Sequence, residues 1–117
     1  MKLLPLIFIV LVGCASVPFE DWDLEDTERQ FAFIGLLTID WNQTRSIISD
    51  PLFYETNPIL GSDPSPGYVD FYIIGCAVGH TIISGLLEPE YWRPTWQYGW
   101  IIAEGYTVYN NRRIGVE

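Results

Sequence analysis

Positive charge is scarce in this 117-residue chain: one lysine, Lys2, and five arginines stand against 15 acidic side chains, for a net charge of −9. A surface that neutralises phosphates needs clustered Lys and Arg. Here Arg29, Arg45, Arg93, Arg112 and Arg113 are scattered or terminal, which argues against nucleic acid as a partner. Cysteine is equally sparse, and Cys14 and Cys76 alone build no disulfide framework. No His-Glu-x-x-His, paired CxxC or Gly-rich phosphate loop occurs, and Gly79 to Gly85 lacks the preceding strand that a nucleophile elbow needs. What is abundant is apolar: 49% of residues are hydrophobic and 15% aromatic, with a mean hydropathy of +0.16. That excludes disorder and is membrane-like, and the length allows one compact unit.

The N-terminus points to a compartment. Lys2 precedes an apolar run from Leu3 to Val12, broken only by Pro5, and Leu11-Val12-Gly13-Cys14 closes it. This is about half the length of a spanning helix and resembles a bacterial lipoprotein signal peptide with its lipobox. The resemblance implies that residues 1–13 are removed, that Cys14 is acylated, and that the bilayer is the first partner. Ala15, in place of Asp, favours the outer membrane. Cys76 is then a lone thiol in an apolar segment, expected to pack as a small hydrophobe.

Beyond the anchor the pattern predicts an all-α fold of three apolar helices, over about residues 27–49, 68–87 and 94–110. Residues 14–28 form an acidic tether and residues 29–117 the helical domain. Glu20, Asp21, Asp23, Glu25, Asp26 and Glu28 repel one another and read as a solvated spacer. Thr27 and Gln30 have capping-box spacing, which places the first helix start there, and Pro51 ends that helix. Residues 51–67 carry prolines and glycines at a density no long helix survives, with Phe53, Tyr54, Ile59 and Leu60 available to pack back. The second helix is long enough to cross a bilayer, and its Gly75/Gly79 pair is expected to admit close approach of another helix. The third opens with Pro94 in its first turn, with Trp92, Trp96, Tyr106 and Tyr109 placed as interfacial aromatics. If all three helices span, Arg45, Arg112 and Arg113 lie inside, and inner-membrane residence then replaces the outer membrane.

Asp40, His80 and Glu104 each fall on an apolar helix surface, where an unpaired charge is costly, so they are expected to meet each other or Arg45. Such a set could fix helix register, bind a divalent metal, or use His80 as a general base. No cofactor is implied and the residue types do not establish a metal.

Asp40-Trp41-Asn42-Gln43-Thr44-Arg45, Glu55-Thr56-Asn57-Pro58-Ile59-Leu60-Gly61 and a late Glu104 with Asn110 or Asn111 resemble a family of small, uncharacterised lipoproteins assigned to the outer membrane in bacterial and bacteriophage genomes. The resemblance covers about residues 33–115. It implies a membrane-associated helical protein in which Gln43, Thr44, Glu55, Asn57 and Pro58 belong to one polar site, and it supplies no activity. The residues themselves suggest that Glu55 reaches back to Arg45 across the loop as a clasp. Three functions are open. They are an envelope protein acting through structure or through interaction with another envelope protein; a membrane-embedded hydrolase or metal-binding protein using Asp40, Glu55, His80 and Glu104; and a small-ligand or ion-handling membrane protein.

Overall fold

A computed structural model describes residues 18–117; the expected signal peptide and Cys14 lie outside the described residues. Three helices follow in order, α1 (Leu24–Ser49), α2 (Pro66–Leu86) and α3 (Trp92–Arg113), and the described residues form no strand.

The first helix begins earlier than the Thr27/Gln30 pattern predicts. Asp23 is the N-cap: its carboxylate accepts from Asp26 N at 2.8 Å, and the Asp26 carboxylate accepts from Asp23 N at 3.2 Å, a reciprocal pair that satisfies two otherwise orphaned donors. Residues 24–28, read as part of the acidic tether, are therefore helix. Thr27 instead bonds back to Asp23 O and accepts from Trp22 Nε1. Ser65 caps α2 ahead of Pro66, whose missing N–H is no loss at the first helical position.

The N-cap residue of α3, Tyr91, offers no side-chain cap. The Glu88 carboxylate takes over, accepting from the backbone N–H of Glu90 (2.6 Å), Tyr91 (3.0 Å) and Trp92 (3.4 Å). These bonds, the one from Glu90 foremost, hold Glu88 below its ordinary pKa of 4.5. A group whose pKa is depressed on folding stabilises fully above its unfolded value and loses that contribution as pH falls through the folded one. Wild type should therefore exceed Glu88→Gln in thermal stability near neutrality, and the gap should close as the medium is acidified below pH 4.5. A gap that is independent of pH would show that the carboxylate is not the cap.

α1 is the central helix, packed chiefly on α3 and less on α2, while α2 and α3 barely meet. The apolar core joins Phe33 and Leu37 of α1, Leu60 of the proline-rich loop, and Val69 and Ile73 of α2. Of the loop residues expected to pack back only Leu60 is buried; Phe53 is half-buried, and Tyr54 and Ile59 are exposed. Asn57 fixes that loop with an Asx turn to Ile59 N (3.0 Å) and a bond from Nδ2 to the Tyr72 hydroxyl (3.1 Å).

Two expectations about α2 fare differently. It is long and apolar enough to cross a membrane, and only 28% of its most apolar stretch is buried within the protein. Gly75 and Gly79, however, are not a helix-packing stripe: a Cβ at either would meet no atom within 4 Å. The glycine closely approached is Gly85, where a Cβ would come within 2.5 Å of the Phe19 ring, while Phe19 N donates to Gly85 O at 2.6 Å. The segment before α1 is thus docked on the end of α2, through a turn that places Phe19 (φ 57°) and Asp21 (φ 49°) in the left-handed region.

Polarity is distributed unusually. Asp26, Gln43, Thr44, His80, Ser84, Arg93 and Gln97 are buried, whereas Phe31, Ile39, Phe71, Ile74, Val78, Ile82, Trp100 and Ile102 are exposed.

Candidate functional site: a carboxyl-lined cleft

Helical spacing of three and four carries Asp40 and Thr44 on α1 and Glu104 and Asn111 on α3 to one end of the bundle, where the proline-rich loop closes over them. The cleft there has a volume of about 310 Å³ and is lined by Asp40, Thr44, Tyr54, Glu55, Asn57 and Asn111 among others. The Asp40 and Glu104 carboxyl groups lie side by side between α1 and α3, with Glu55 close to Asp40. Carboxylates this close repel unless one of them carries a proton or a cation stands between them. Asn111 Nδ2 donates to Asp40 Oδ1 (3.3 Å) and to Gln43 Oε1 (3.1 Å), and Gln43 Nε2 donates to Val108 O (3.3 Å), so the buried Gln43 amide braces the site from below. One Glu104 oxygen, Oε1, is buried without a hydrogen-bond partner.

Asp40, Thr44, Glu55 and Asn57 line the cleft, and Gln43 and Glu104 adjoin it beside Asn111 and Asp40. Arg45 and His80 do not. The Arg45 guanidinium pairs with Asp70 at 2.6 Å, an acid that also accepts from Trp41 Nε1, and the Glu55 carboxylate accepts from Asn57 N at 2.7 Å. The expected clasp between Arg45 and Glu55 is absent because the second turn of α2 presents Asp70 to the end of α1. The pair is half-exposed, with 46% and 36% of the two side chains accessible, so Arg45→Met should lower stability by only about 0–1 kcal/mol. A loss of several kcal/mol in a chemical-denaturation series would contradict this placement.

His80 lies elsewhere, on the α2 face that meets Gln30 of α1. Its Nδ1 is 3.0 Å from Gln30 Oε1, and its ring stacks on Phe33 with centroids 3.9 Å apart. No three His, Cys, Asp or Glu side chains among the described residues are placed to hold a metal ion. The Ser84 hydroxyl donates to His80 O at 2.8 Å and lies 3.5 Å from His80 Nδ1.

The largest polar assembly was not foreseen in the sequence pattern. Arg93 is wholly buried, and its guanidinium donates to Ser84 O (2.8 Å), Asp26 Oδ2 (3.0 Å), Glu20 O (2.9 Å) and Leu87 O (3.2 Å). Asp26 also accepts from Arg29 Nη2 at 2.6 Å, and Arg29 Nε donates to Gln97 Oε1 at 2.8 Å. Asp26, expected to be a solvated tether charge, is instead 2% exposed. The available signal was the spacing of Arg93, Gln97, Glu104 and Asn111, which places four polar residues along one stripe of α3.

Compared with known proteins, the chain matches no family model, no curated protein and no solved structure.

Proposed function

We propose that this chain is a lipid-anchored membrane protein whose helices lie in the bilayer around a polar interior, and whose carboxyl-lined cleft binds a small cation in exchange for the proton shared by Asp40 and Glu104. The observation that carries the reading is the inverted distribution of polarity. In water, buried Asp, Arg, Gln and His with exposed Phe, Ile and Trp would forgo the main driving force of folding, whereas in lipid the apolar exterior is solvated and the polar groups join helices by hydrogen bonds. The lipobox at Cys14 and the length of α2 support the location. The cleft supports the activity because Asp40 and Glu55 line it, Glu104 stands behind Asp40, and the nearest arginine on α1, Arg45, is turned to Asp70.

The test uses the full mature chain in nanodiscs under weak buffering. Titration with sodium, potassium and methylammonium should release protons saturably for at least one of these ions. Glu104→Gln, which keeps a donor for Asp40 but has no proton to give up, should fold and release none. Saturable release that is unchanged in Glu104→Gln would remove the site from these residues. No release with any of the three ions would leave the polar interior the role of fixing helix register. That second reading, an envelope protein acting through structure or interaction, is favoured by the Arg93 assembly, which ties three segments together through four acceptors.

A further inference from the structure

The described residues ahead of α1 are pinned to the far end of α2. Phe19 N donates to Gly85 O at 2.6 Å, and Arg93 Nη2 donates both to Glu20 O (2.9 Å) and to Leu87 O (3.2 Å). Two carbonyls that accept from one nitrogen stand side by side, so Glu20 lies against Leu87. The Phe19 and Trp22 rings, with centroids 5.3 Å apart, and the Arg93 guanidinium over the Trp22 ring at 5.2 Å hold the same corner. Phe19 and Asp21 adopt a left-handed backbone to make this turn, a conformation kept only where the surroundings enforce it.

Leu87 also lines an apolar groove of about 320 Å³ that runs along α3. Trp92, Trp96 and Trp100 follow it at steps of four, and Gly99 leaves it open, since a Cβ there would meet no atom within 4 Å. Thr95 lines it too and turns its hydroxyl onto Tyr91 O at 2.7 Å. No charged side chain lines the groove. The helix rises about 16 Å between Trp92 and Ala103, close to the depth of one hydrocarbon leaflet, about 15 Å.

We propose that this groove seats a fatty acyl chain carried on Cys14, so that the lipid anchor folds back along α3 instead of entering the bilayer as a free tail. The inference rests on the lipid-anchored reading above. Reach is sufficient: Cys14 lies six residues before Glu20, at most about 20 Å of extended chain, and Glu20 stands beside Leu87 at the end of the groove. Room is sufficient as well. A cavity of about 150 Å³ admits a benzene ring, so one of about 320 Å³ takes about a dozen carbons. Walls of this kind offer no polar contact to specify a ligand, so attachment selects the occupant. Neighbouring lipids compete for the same surface, but only the tethered chain is delivered there by a fixed turn. The anchor then sets which face of the bundle meets the leaflet, where a free tail would act as a leash.

The experiment feeds bacterial cells making the full chain a palmitate analogue with a diazirine in its tail. The mature protein is placed in nanodiscs at one chain per disc and irradiated, and the adducts are mapped by mass spectrometry. Adducts within the chain should concentrate on residues 92–103. Gly99→Leu, at an exposed position where the side chain fills the groove, should lower that yield about tenfold or more. Gly35→Leu, on an open face of α1, should leave it unchanged. Should Gly99→Leu not fold, Ala103→Phe at the exposed far end of the groove serves in its place. Absence of the analogue from Cys14, judged against Cys14→Ser, would overturn the anchor and the groove together. Analogue present on Cys14 with adducts on lipids alone, or with adducts on residues 92–103 undiminished by Gly99→Leu, would overturn the groove and leave the anchor standing. So would cross-links between chains in discs holding two, which would give the groove to a second copy.

Discussion

Arg93→Met should lower the unfolding free energy of the bundle by about 3–5 kcal/mol, the loss expected when one partner of a buried ion pair is removed. Methionine fills much of the space, so the loss is one of hydrogen bonds rather than of volume. Asp26 keeps Arg29 at 2.6 Å and is not left wholly unpaired. The backbone carbonyls of Glu20, Ser84 and Leu87 lose the donor they share, and the bonds to Ser84 and Leu87 are buried, where packed side chains exclude water. Lysine should rescue little, because a single ammonium cannot reproduce a planar fork that serves four acceptors at once. Denaturation in mixed micelles of Arg93→Met, Asp26→Asn and the double variant measures the coupling. A single-variant loss below about 1 kcal/mol, or strict additivity, would show that the assembly contributes nothing as a unit.

Phe33→Ala should cost about 3–5 kcal/mol as well, by a different route. Phe33 is 3% exposed and sits where α1 meets α2, in the same cluster as Leu37, Val69 and Ile73, and it also forms one face of the stack on His80. Truncation opens a void and frees the imidazole to tilt away from Gln30. Phe33→Leu, which keeps most of the volume, should cost less than about 1.5 kcal/mol. Thermal unfolding of the two variants separates packing from stacking. If Phe33→Leu costs as much as Phe33→Ala, the aromatic face toward His80 matters more than the filled space.

Three helices and a proline-rich loop are legible from residue patterns alone, because apolar spacing and Asp50-Pro51 act locally, whereas the Ser65-Pro66 start of α2 falls two residues before the expected one. The start of α1 was misread for a physical reason. Asp can cap as well as Thr, and in a run rich in carboxylates the charges alone do not reveal which one turns inward. Asp40 and Glu104 could be found because a carboxylate on an apolar stripe demands a partner. The partner of Arg45 could not, since Asp70 and Glu55 are equally available in sequence and only the docking angle of α2 selects Asp70. Arg93 was passed over because a lone arginine beside Trp92 and Pro94 reads as the exposed edge of a helix. Its burial depends on four acceptors drawn from three separate segments. The Gly75/Gly79 spacing matched a helix-association pattern, but the bundle routes that contact through α1 and leaves the glycines facing a groove.

The guanidinium of Arg93 has one more consequence, which concerns when different parts of the molecule open. It ties the turn before α1, the first turn of α1 and the end of α2 to α3, so this pole can separate only as a block. The opposite pole is held by the half-exposed Arg45–Asp70 pair and by an Asx turn, both of which water can replace bond by bond. Amide exchange should therefore be slowest around residues 84–97 and fastest around residues 50–60. The bundle then behaves like a clasp riveted at one end, and the cleft beside Asp40 sits between the free tips, where small excursions of the loop open it without disturbing the rivet.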